Sequence, residues 1–245
     1  VYYVVSDEPG TSEVVAVQED GALVARVEVE GMLTENAEAL AVGPCGDREP
    51  HSCIFVGDVG DHVGREDVVV YRISEPGLST PTVNAPATEL RFTYPDAPTD
   101  AEALLVDESG RPLIISKAHF DRDVGVSAAT RIYRGDTGGG VLELVGEFEL
   151  PAPRSGVFAA LVGNVVTDAS STSGRVLLRT YDAVIEYVAP EPGSDLAGFP
   201  AWRHDEVPAP AQLQSETVTF RSDRCGYLTT SEPTGAIEAV DCRPW

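Results

Sequence analysis

Short apolar runs rich in β-branched residues are separated throughout the chain by Gly, Pro, Asp and Ser. Examples are residues 68–73, 113–115 and 217–220. Runs of this length bounded by turn-forming residues predict β-strands. The best helical candidate, 35–42, ends at once at Gly43-Pro44. We therefore predict an all-β protein.

One pattern repeats along the chain: an acidic residue followed by a short apolar run. Its four copies begin at Glu38, Glu102, Asp168 and Glu216. Each copy is followed by a second and a third strand-like run, and the first three copies also by a fourth. A repeated unit of four antiparallel strands is typical of the blade of a β-propeller. A β-sandwich is the alternative fold.

The repeat divides the chain into five predicted blades within a single domain that spans residues 1–245. Their bounds are roughly 1–32, 33–95, 96–151, 152–207 and 208–245. The first contains three strands that correspond to strands two to four of a blade. The last contains the first three strands and no clear fourth. Both are therefore predicted to be incomplete.

Charge restricts the partners that the protein can bind. The 245 residues include 17 basic and 40 acidic side chains, so the net charge is −23. This charge repels nucleic acid and anionic membrane surfaces and favours cations, although it also suits solubility or a salty medium. No apolar run approaches the ~18 residues of a membrane span. We expect a monomer that binds no nucleic acid and inserts in no membrane.

Four cysteines indicate two disulfides and an oxidising compartment. A predicted hairpin around a Pro-Thr-Gly turn places Cys225 opposite Cys242, and Cys45 and Cys53 would close a short loop. Cross-strand neighbours have the Cβ separation that a disulfide needs. With no leader segment at its start, the sequence suits a mature or an intracellular protein. The cysteines favour a secreted or extracytoplasmic one, and four reduced buried thiols are the alternative.

In a propeller the first strands of the blades line a central tunnel, so the four repeat acids would converge at its mouth. The predicted metal ligands are Glu38, Glu102, Asp168 and Glu216. The end of the second strand of each blade would lie beside the same mouth. These ends would add further charged side chains, namely Asp7, Asp58, Lys117, Arg179 and Glu232. Clustered carboxylates repel one another, and calcium with its six to eight oxygen ligands would offset this repulsion. The alternative is a metal-free ring balanced by the two cations and water.

The ligand-binding candidates at the same predicted mouth are Asp58, Asp61, Lys117, Arg179 and Glu232. Lys117, the only lysine, and Arg179 either bind an anion or pair with tunnel acids. In the glycine-rich segment 56–62, Asp58, Asp61 and His62 either bind a metal or a ligand, or Asp side chains cap turns of a solvated loop. The sequence contains no Gly-x-Ser-x-Gly nucleophile motif, no phosphate-binding Gly-x-x-x-x-Gly-Lys loop and no zinc-binding His-Glu-x-x-His motif.

The strings 38–44, 55–61 and 68–76 resemble secreted actinobacterial β-propeller proteins of largely uncharacterised function. The acidic positions at the blade starts are also loosely similar to those of calcium-dependent five-bladed nucleotidases (apyrases) and of phytase- and esterase-like propellers. The first resemblance implies the fold. The second implies calcium in the tunnel.

Three functions fit these features. The first is a secreted, calcium-binding propeller that binds a protein, glycan or small molecule through loops 58–67 and 117–129. The alternative is a metal-dependent hydrolase of a phosphoester or carboxylic ester, with His62, Lys117 and Arg179 as catalytic candidates. The third, a metal-free structural or carbohydrate-binding propeller, is disfavoured because Trp202 and Trp245 are the only tryptophans.

Overall fold

The computed structural model describes residues 1–46, 51–61, 64–154, 156–210 and 212–242. Its regular structure is almost entirely β-strand. The exceptions are a four-residue helix, α1 (Ala159–Val162), and a 3-10 helix over Leu196–Ala201. The all-β prediction is confirmed. Within the described ranges, neither helix has the length and apolarity needed to cross a bilayer.

The N-terminal part forms two antiparallel meanders that share one long strand. The first contains β1 (Tyr2–Val4), β2 (Glu13–Val17) and β3 (Leu23–Glu30), and the second contains β4 (Ala39–Pro44), β5 (Ser52–Asp58), β6 (Asp67–Ser74) and β7 (Thr82–Thr93). Residues 82–86 of β7 pair in parallel with β3, and residues 87–93 pair antiparallel with β6. Thus β7 joins the two meanders into one sheet.

The middle of the chain forms a four-stranded sheet and a small hairpin. The sheet runs in the order β14-β12-β9-β8, and the hairpin pairs β10 with β11. These elements are β8 (Ala101–Val106), β9 (Pro112–Ser116), β10 (Phe120–Asp121), β11 (Val126–Ser127), β12 (Thr130–Arg134), β13 (Gly140–Val141) and β14 (Glu143–Phe148). Strand β13 pairs in parallel with the C-terminal end of β7, so β7 pairs with three strands, β3, β6 and β13.

The C-terminal part forms two further meanders. The four-stranded one contains β15 (Val166–Thr172), β16 (Arg175–Thr180), β17 (Val184–Val188) and β18 (Arg203–Val207). The three-stranded one contains β19 (Ser215–Phe220), β20 (Tyr227–Ser231) and β21 (Ile237–Val240). Strands β15 and β19 are neighbours, because Thr167 Oγ1 donates a hydrogen bond to Ser215 O at 2.9 Å.

The chain divides into two compact units, each with its own apolar core. The first comprises Val1–Ile114 and Tyr133–Leu144, and the second comprises Ile115–Ile132 and Val145–Trp245. In the first unit the aromatic rings of Phe55, Phe92 and Tyr133 are fully buried. In the second unit Leu177 of β16 packs with Val218 of β19 and with neighbours on β20. Burial of these side chains supplies the main favourable free energy of folding.

The predicted strands lie where the sequence pattern places them, including the first strand of every repeat. Residues 39–44, which include most of the weak helical candidate at 35–42, form strand β4, as the repeat predicts. These residues pair with β5, and that tertiary pairing outweighs a weak local preference for helix. The five groups of strands agree with five blades. The single-domain extent and the blade bounds stay predictions.

Both predicted disulfides are present. Cys45 and Cys53 join the paired ends of β4 and β5, and Cys225 and Cys242 join the ends of the hairpin formed by β20 and β21. The Cα–Cα distance is 5.0 Å in each pair. The described residues include no free cysteine. The alternative of four reduced thiols is therefore wrong.

The two disulfides should differ in their contribution to stability. Cross-linking restricts the unfolded chain more when the closed loop is longer. The separations are 17 residues for Cys225–Cys242 and 8 for Cys45–Cys53. We expect the double Cys→Ser change to lower the free energy of unfolding by about 3 kcal/mol for the longer loop and about 2.5 kcal/mol for the shorter one. Urea denaturation of the two double variants measures both values, and unchanged stability in either would contradict this prediction.

Candidate functional site

Predicted site residues occur at strand ends in both units. The first unit contains Asp7, Glu38, Asp58, Asp61 and Glu102. The second contains Lys117, Asp168, Arg179, Glu216 and Glu232. His62 and Trp245 lie outside the described residues, so a role for His62 in catalysis or metal binding stays a prediction. The two groups are described separately below.

Asp58, at the end of β5, forms a buried structural ion pair. It is 2% exposed and accepts hydrogen bonds from the backbone N–H groups of Glu35 (3.1 Å) and Asn36 (2.7 Å). Two guanidinium nitrogens of Arg65 approach its carboxylate oxygens at 3.0 and 3.3 Å. Burial by itself lowers the pKa of Arg65, but its hydrogen bond to Asp58 and the charge of Asp58 raise it overall.

The glycine-rich segment after β5 is a tight turn built around Gly60 and Asp61. The N–H of Gly60 donates to Asn36 O at 3.1 Å, and a Cβ on Gly60 would lie 2.1 Å from Asn36 Nδ2. Asp61 Oδ1 accepts from the N–H groups of Gly64 (2.6 Å) and Arg65 (2.9 Å). Asp61 therefore caps this turn, as the alternative interpretation of the segment expects. Ligand binding by Asp58 and Asp61 stays a prediction.

Two acids of the second unit also bind its backbone or a neighbouring side chain. Asp168 Oδ2 accepts from Val218 N at 2.8 Å, which ties β15 to β19, and Asp168 Oδ1 accepts from Ala169 N at 2.7 Å. Glu232, exposed after β20, accepts from Gln214 Nε2 at 2.8 Å. Asp168 therefore stabilises the contact between β15 and β19, at a position where the repeat predicts a metal ligand.

Arg179, near the end of β16, is a buried cation with unsatisfied donors. Its side chain is 1% exposed, and within the described ranges Nε and Nη1 have no hydrogen-bond partner. Burial lowers the pKa of Arg179 to about 10, while the charges of Tyr227, Asp182 and Glu216 act in the opposite direction. The guanidinium is still charged at neutral pH. A buried donor without an acceptor lowers the stability of the folded protein, so an oxygen acceptor beside Nε and Nη1 would stabilise this side chain.

The groups near Arg179 are largely occupied elsewhere. Asp182 accepts from the N–H groups of Phe158 (3.2 Å) and Ala159 (2.6 Å), which begin α1. The hydroxyl group of Tyr227 donates to Pro208 O. Two residues further along β20, on the same face as Tyr227, the buried Oγ1 of Thr229 has no partner among the described residues. A second polar side chain on this face is therefore also unsatisfied.

Lys117 is held over an aromatic ring at the end of β9. Its Nζ lies 5.7 Å from the centroid of the Tyr181 ring, within the range of a cation–π contact. Tyr181 in turn contacts Phe158, with the ring centroids 6.0 Å apart. Because Tyr181 follows Arg179 by two residues, the second unit has two cations close to the end of β16.

The described residues of either unit contain no group of three His, Cys, Asp or Glu side chains that could hold a metal ion. The predicted calcium ligands are divided between the units, with Glu38 and Glu102 in the first and Asp168 and Glu216 in the second. In this structure Asp168 already accepts two backbone hydrogen bonds. A calcium site formed by the four acids stays a prediction.

Sequence reasoning overlooked Arg65, because nothing in the local pattern pairs it with Asp58. The only available signal was a basic residue following Asp58 across a turn, in a segment otherwise rich in acids. Likewise, the sequence contains no sign that Arg179 is buried deeper than Lys117.

No protein-family model matches the chain, and no curated protein sequence matches it. Among solved structures it is similar to the periplasmic gluconolactonase PpgL of Pseudomonas aeruginosa, at 16% identity and a TM-score of 0.50. The alignment covers 99% of this chain and 68% of that one. The chain is a β-propeller. At this identity the likeness shows the fold alone.

Two further structures are more distant. A Lactobacillus plantarum protein is 13% identical with a TM-score of 0.43, and the alignment covers 97% of this propeller and 64% of that chain. The Dos1 propeller is 11% identical with a TM-score of 0.40, covering 94% and 49%. The propeller described here therefore spans about two thirds or less of the length of these proteins.

The buried pair of Arg65 and Asp58 should matter far more than an exposed pair. The side chains are 11% and 2% exposed, and removal of one partner leaves a buried charge. We expect Arg65→Met to lower the free energy of unfolding by about 3 kcal/mol. Arg91, 55% exposed and paired with Asp67 and Glu89, is the control, and Arg91→Met should cost about 1 kcal/mol or less. Equal losses in urea denaturation would contradict this difference.

Calcium binding by the repeat acids is tested by metal analysis and chelation. If the ion binds, its removal should lower the melting temperature, since a ligand at a hundred times its Kd contributes about 2.7 kcal/mol. Glu102→Gln should reduce the metal content, and Glu108→Gln, at an exposed position, should not. A metal-free protein with a melting curve indifferent to chelator and to added calcium would refute the prediction.

Proposed function

We propose that this propeller is an extracytoplasmic binding module that takes a small ligand bearing a carboxylate or another oxyanion at the end of β16. The observation that carries the proposal is the buried Arg179 side chain with two unpaired nitrogens. Its charge needs an acceptor, and a ligand oxygen would supply one. Calcium at the repeat acids is a separate part of the proposal, with its own test above.

Lys117 and Tyr181 support the same site. The amine of Lys117 lies over the ring of Tyr181, which follows Arg179 by two residues, so a second positive charge lies near the end of β16. A negatively charged group would gain from both cations. At long range the net charge of −23 repels anions, and only the local positive charge attracts them, which favours a small ligand over an anionic polymer.

Access limits the size of the group that reaches Arg179. Pro208 and Leu213 lie over the face of β20 that holds Tyr227, because the Tyr227 hydroxyl group donates to Pro208 O and Ser231 Oγ donates to Leu213 O at 2.6 Å. With Arg179 1% exposed, entry requires a neighbouring segment to move aside. A carboxylate or phosphate group is small enough for this, whereas a sugar ring would need a larger opening.

Two disulfides support an extracytoplasmic location, because such bonds persist in oxidising compartments. The similar gluconolactonase is named as periplasmic, which agrees with this part of the proposal. The alternative is a metal-dependent hydrolase of a phosphoester or carboxylic ester, and the name gluconolactonase agrees only with ester hydrolysis. Lys117 and Arg179 would then stabilise developing negative charge.

Calorimetric titration with acetate and with inorganic phosphate tests the site. We expect Arg179→Met to weaken the tighter of the two ligands at least tenfold, since a charge-assisted bond contributes about 1.5–3 kcal/mol. Arg203→Met, at an exposed position on β18 of the same unit, should leave affinity unchanged. Because the pKa of Arg179 is about 10, binding should be lost as the pH rises through that value and the cation disappears.

The titration also separates the candidate functions. Absence of binding by both anions would overturn the proposal. Hydrolysis of gluconolactone or of nitrophenyl phosphate that is lost in Arg179→Met but not in Arg203→Met would favour the hydrolase instead.

A further inference from the structure

Thr229, on β20, is a second fully buried polar side chain without a hydrogen-bond partner. It is 0% exposed, and among the described residues its Oγ1 neither donates nor accepts a hydrogen bond. Its neighbours on the same face of β20 are satisfied, because Tyr227 donates to Pro208 O and Ser231 donates to Leu213 O. A buried hydroxyl group without a partner lowers the stability of the folded protein. Thr229 is thus the position on this face where a ligand oxygen would find an unused donor.

Arg179 and Thr229 adjoin the same apolar cluster of the second unit. Val184 is the cross-strand neighbour of Arg179, and Val218 is the cross-strand neighbour of Thr229. Both valines belong to one buried cluster, which also contains Leu177 of β16. Cross-strand neighbours on one face have Cβ atoms about 4.5–5.5 Å apart. The two unsatisfied side chains therefore lie beside one shared cluster, one on each of two neighbouring meanders.

An electrostatic contact also connects Arg179 with this face of β20. Burial lowers the pKa of Arg179, and the interaction with Tyr227 is the largest of those that act in the opposite direction. Tyr227 precedes Thr229 by two residues, a distance of about 6.6 Å along a strand, and both side chains lie on one face. The guanidinium group is therefore within electrostatic range of the face that holds Thr229 Oγ1.

Negative charge around Arg179 limits the charge that a ligand can carry. The carboxylates of Asp182 and Glu216 also interact electrostatically with Arg179. Their repulsion of a ligand rises in proportion to the ligand's charge, and it is strong where water is excluded. One guanidinium group neutralises one negative charge. A doubly charged group such as sulfate would keep an uncompensated charge in a buried place, which is costly.

We infer that the ligand group is a singly charged carboxylate, with one oxygen bound by Arg179 and the other accepting a hydrogen bond from Thr229 Oγ1. This rests on the proposed anion site and adds the charge of the ligand and a second binding residue. A carboxylate has two oxygens that accept hydrogen bonds, so it satisfies both side chains at once. Hydrogen bonds to a charged group contribute more than those between neutral groups, so Thr229 should raise the affinity measurably.

A substitution that preserves shape separates ligand binding by Thr229 from a structural role. Thr229→Val removes the hydroxyl group and retains the branched side chain. We expect the affinity for acetate to fall at least tenfold, since the lost hydrogen bond is charge-assisted. We expect the melting temperature of the ligand-free protein to rise by about 2 °C or more, because an unsatisfied buried group is removed. A structural role for the hydroxyl group would lower the melting temperature instead.

Thr217→Val is the matched control. Thr217 lies on β19 and is exposed, and its Oγ1 is 2.9 Å from the Oγ1 of its cross-strand neighbour Thr230. Because Thr230 follows Thr229 directly, this pair lies on the opposite face of the sheet. The same change at Thr217 should leave the affinity for acetate unchanged and should not raise the melting temperature.

Three probes define the charge that the site accepts. Acetate carries one negative charge, sulfate carries two, and acetamide is neutral and close to acetate in shape. We expect calorimetric titration to show acetate binding at least tenfold more tightly than either sulfate or acetamide. All titrations are made at one ionic strength, so that the net charge of −23 is screened equally in each.

The variants distinguish this inference from the proposed function. If the affinity for acetate is lost in Arg179→Met but retained in Thr229→Val, the anion site stands and the role of Thr229 is overturned. A Thr229→Val protein with weaker acetate binding and a lower melting temperature would assign the hydroxyl group to the fold and would also overturn that role.

The probes distinguish them in a second way. Sulfate binding as tightly as acetate would overturn the singly charged ligand and preserve the anion site. If the protein binds neither acetate nor sulfate, the anion site itself is refuted. Acetamide binding as tightly as acetate would show that the ligand's charge contributes nothing, and would refute the anion site as well.

Discussion

Burial on both faces of the inner strands is the constraint on which the rest of this structure depends. Strand β8 is buried over its whole length, as is β9, and β5 is buried except at its first residue. Such strands carry almost no polar side chain between their ends, because a buried unpaired group costs too much. Chemistry is thereby confined to the strand ends and the turns. The candidate residues of both units lie in these places.

The second strands of two meanders end in side chains of opposite charge, and these two side chains differ in how fully their hydrogen-bonding groups are satisfied. Asp58 ends β5, the second strand of its meander, and its carboxylate is fully satisfied by two backbone N–H groups and Arg65. Arg179 lies at the corresponding end of β16 and has two donors without an acceptor. The first position stabilises a turn. The unpaired donors at the second position are the reason why we propose a ligand site in the second unit.

The local pattern was sufficient for the strands and disulfides but not for the site. Short apolar runs between turn-forming residues predict all strands except the two-residue ones β10, β11 and β13, and a hairpin fixes which cysteines face each other, so both follow from neighbours in sequence. The pairing of Asp58 with Arg65 depends on how a turn folds back, and the bond from Asp168 to Val218 joins residues 50 apart in sequence. The sequence likewise leaves open whether a basic side chain is buried or exposed, which separates Arg179 from Lys117.

Strand β7 pairs in parallel with β3 through its first half and antiparallel with β6 through its second, and β13 adds to its end. Parallel bonds between β3 and β7 lie side by side, so a force that drew the two strands apart along their length would load them together. A turn at the end of a hairpin instead opens one bond at a time. The shared strand therefore makes the first meander resist shear and gives this edge a mechanical strength that a chain of separate hairpins would lack.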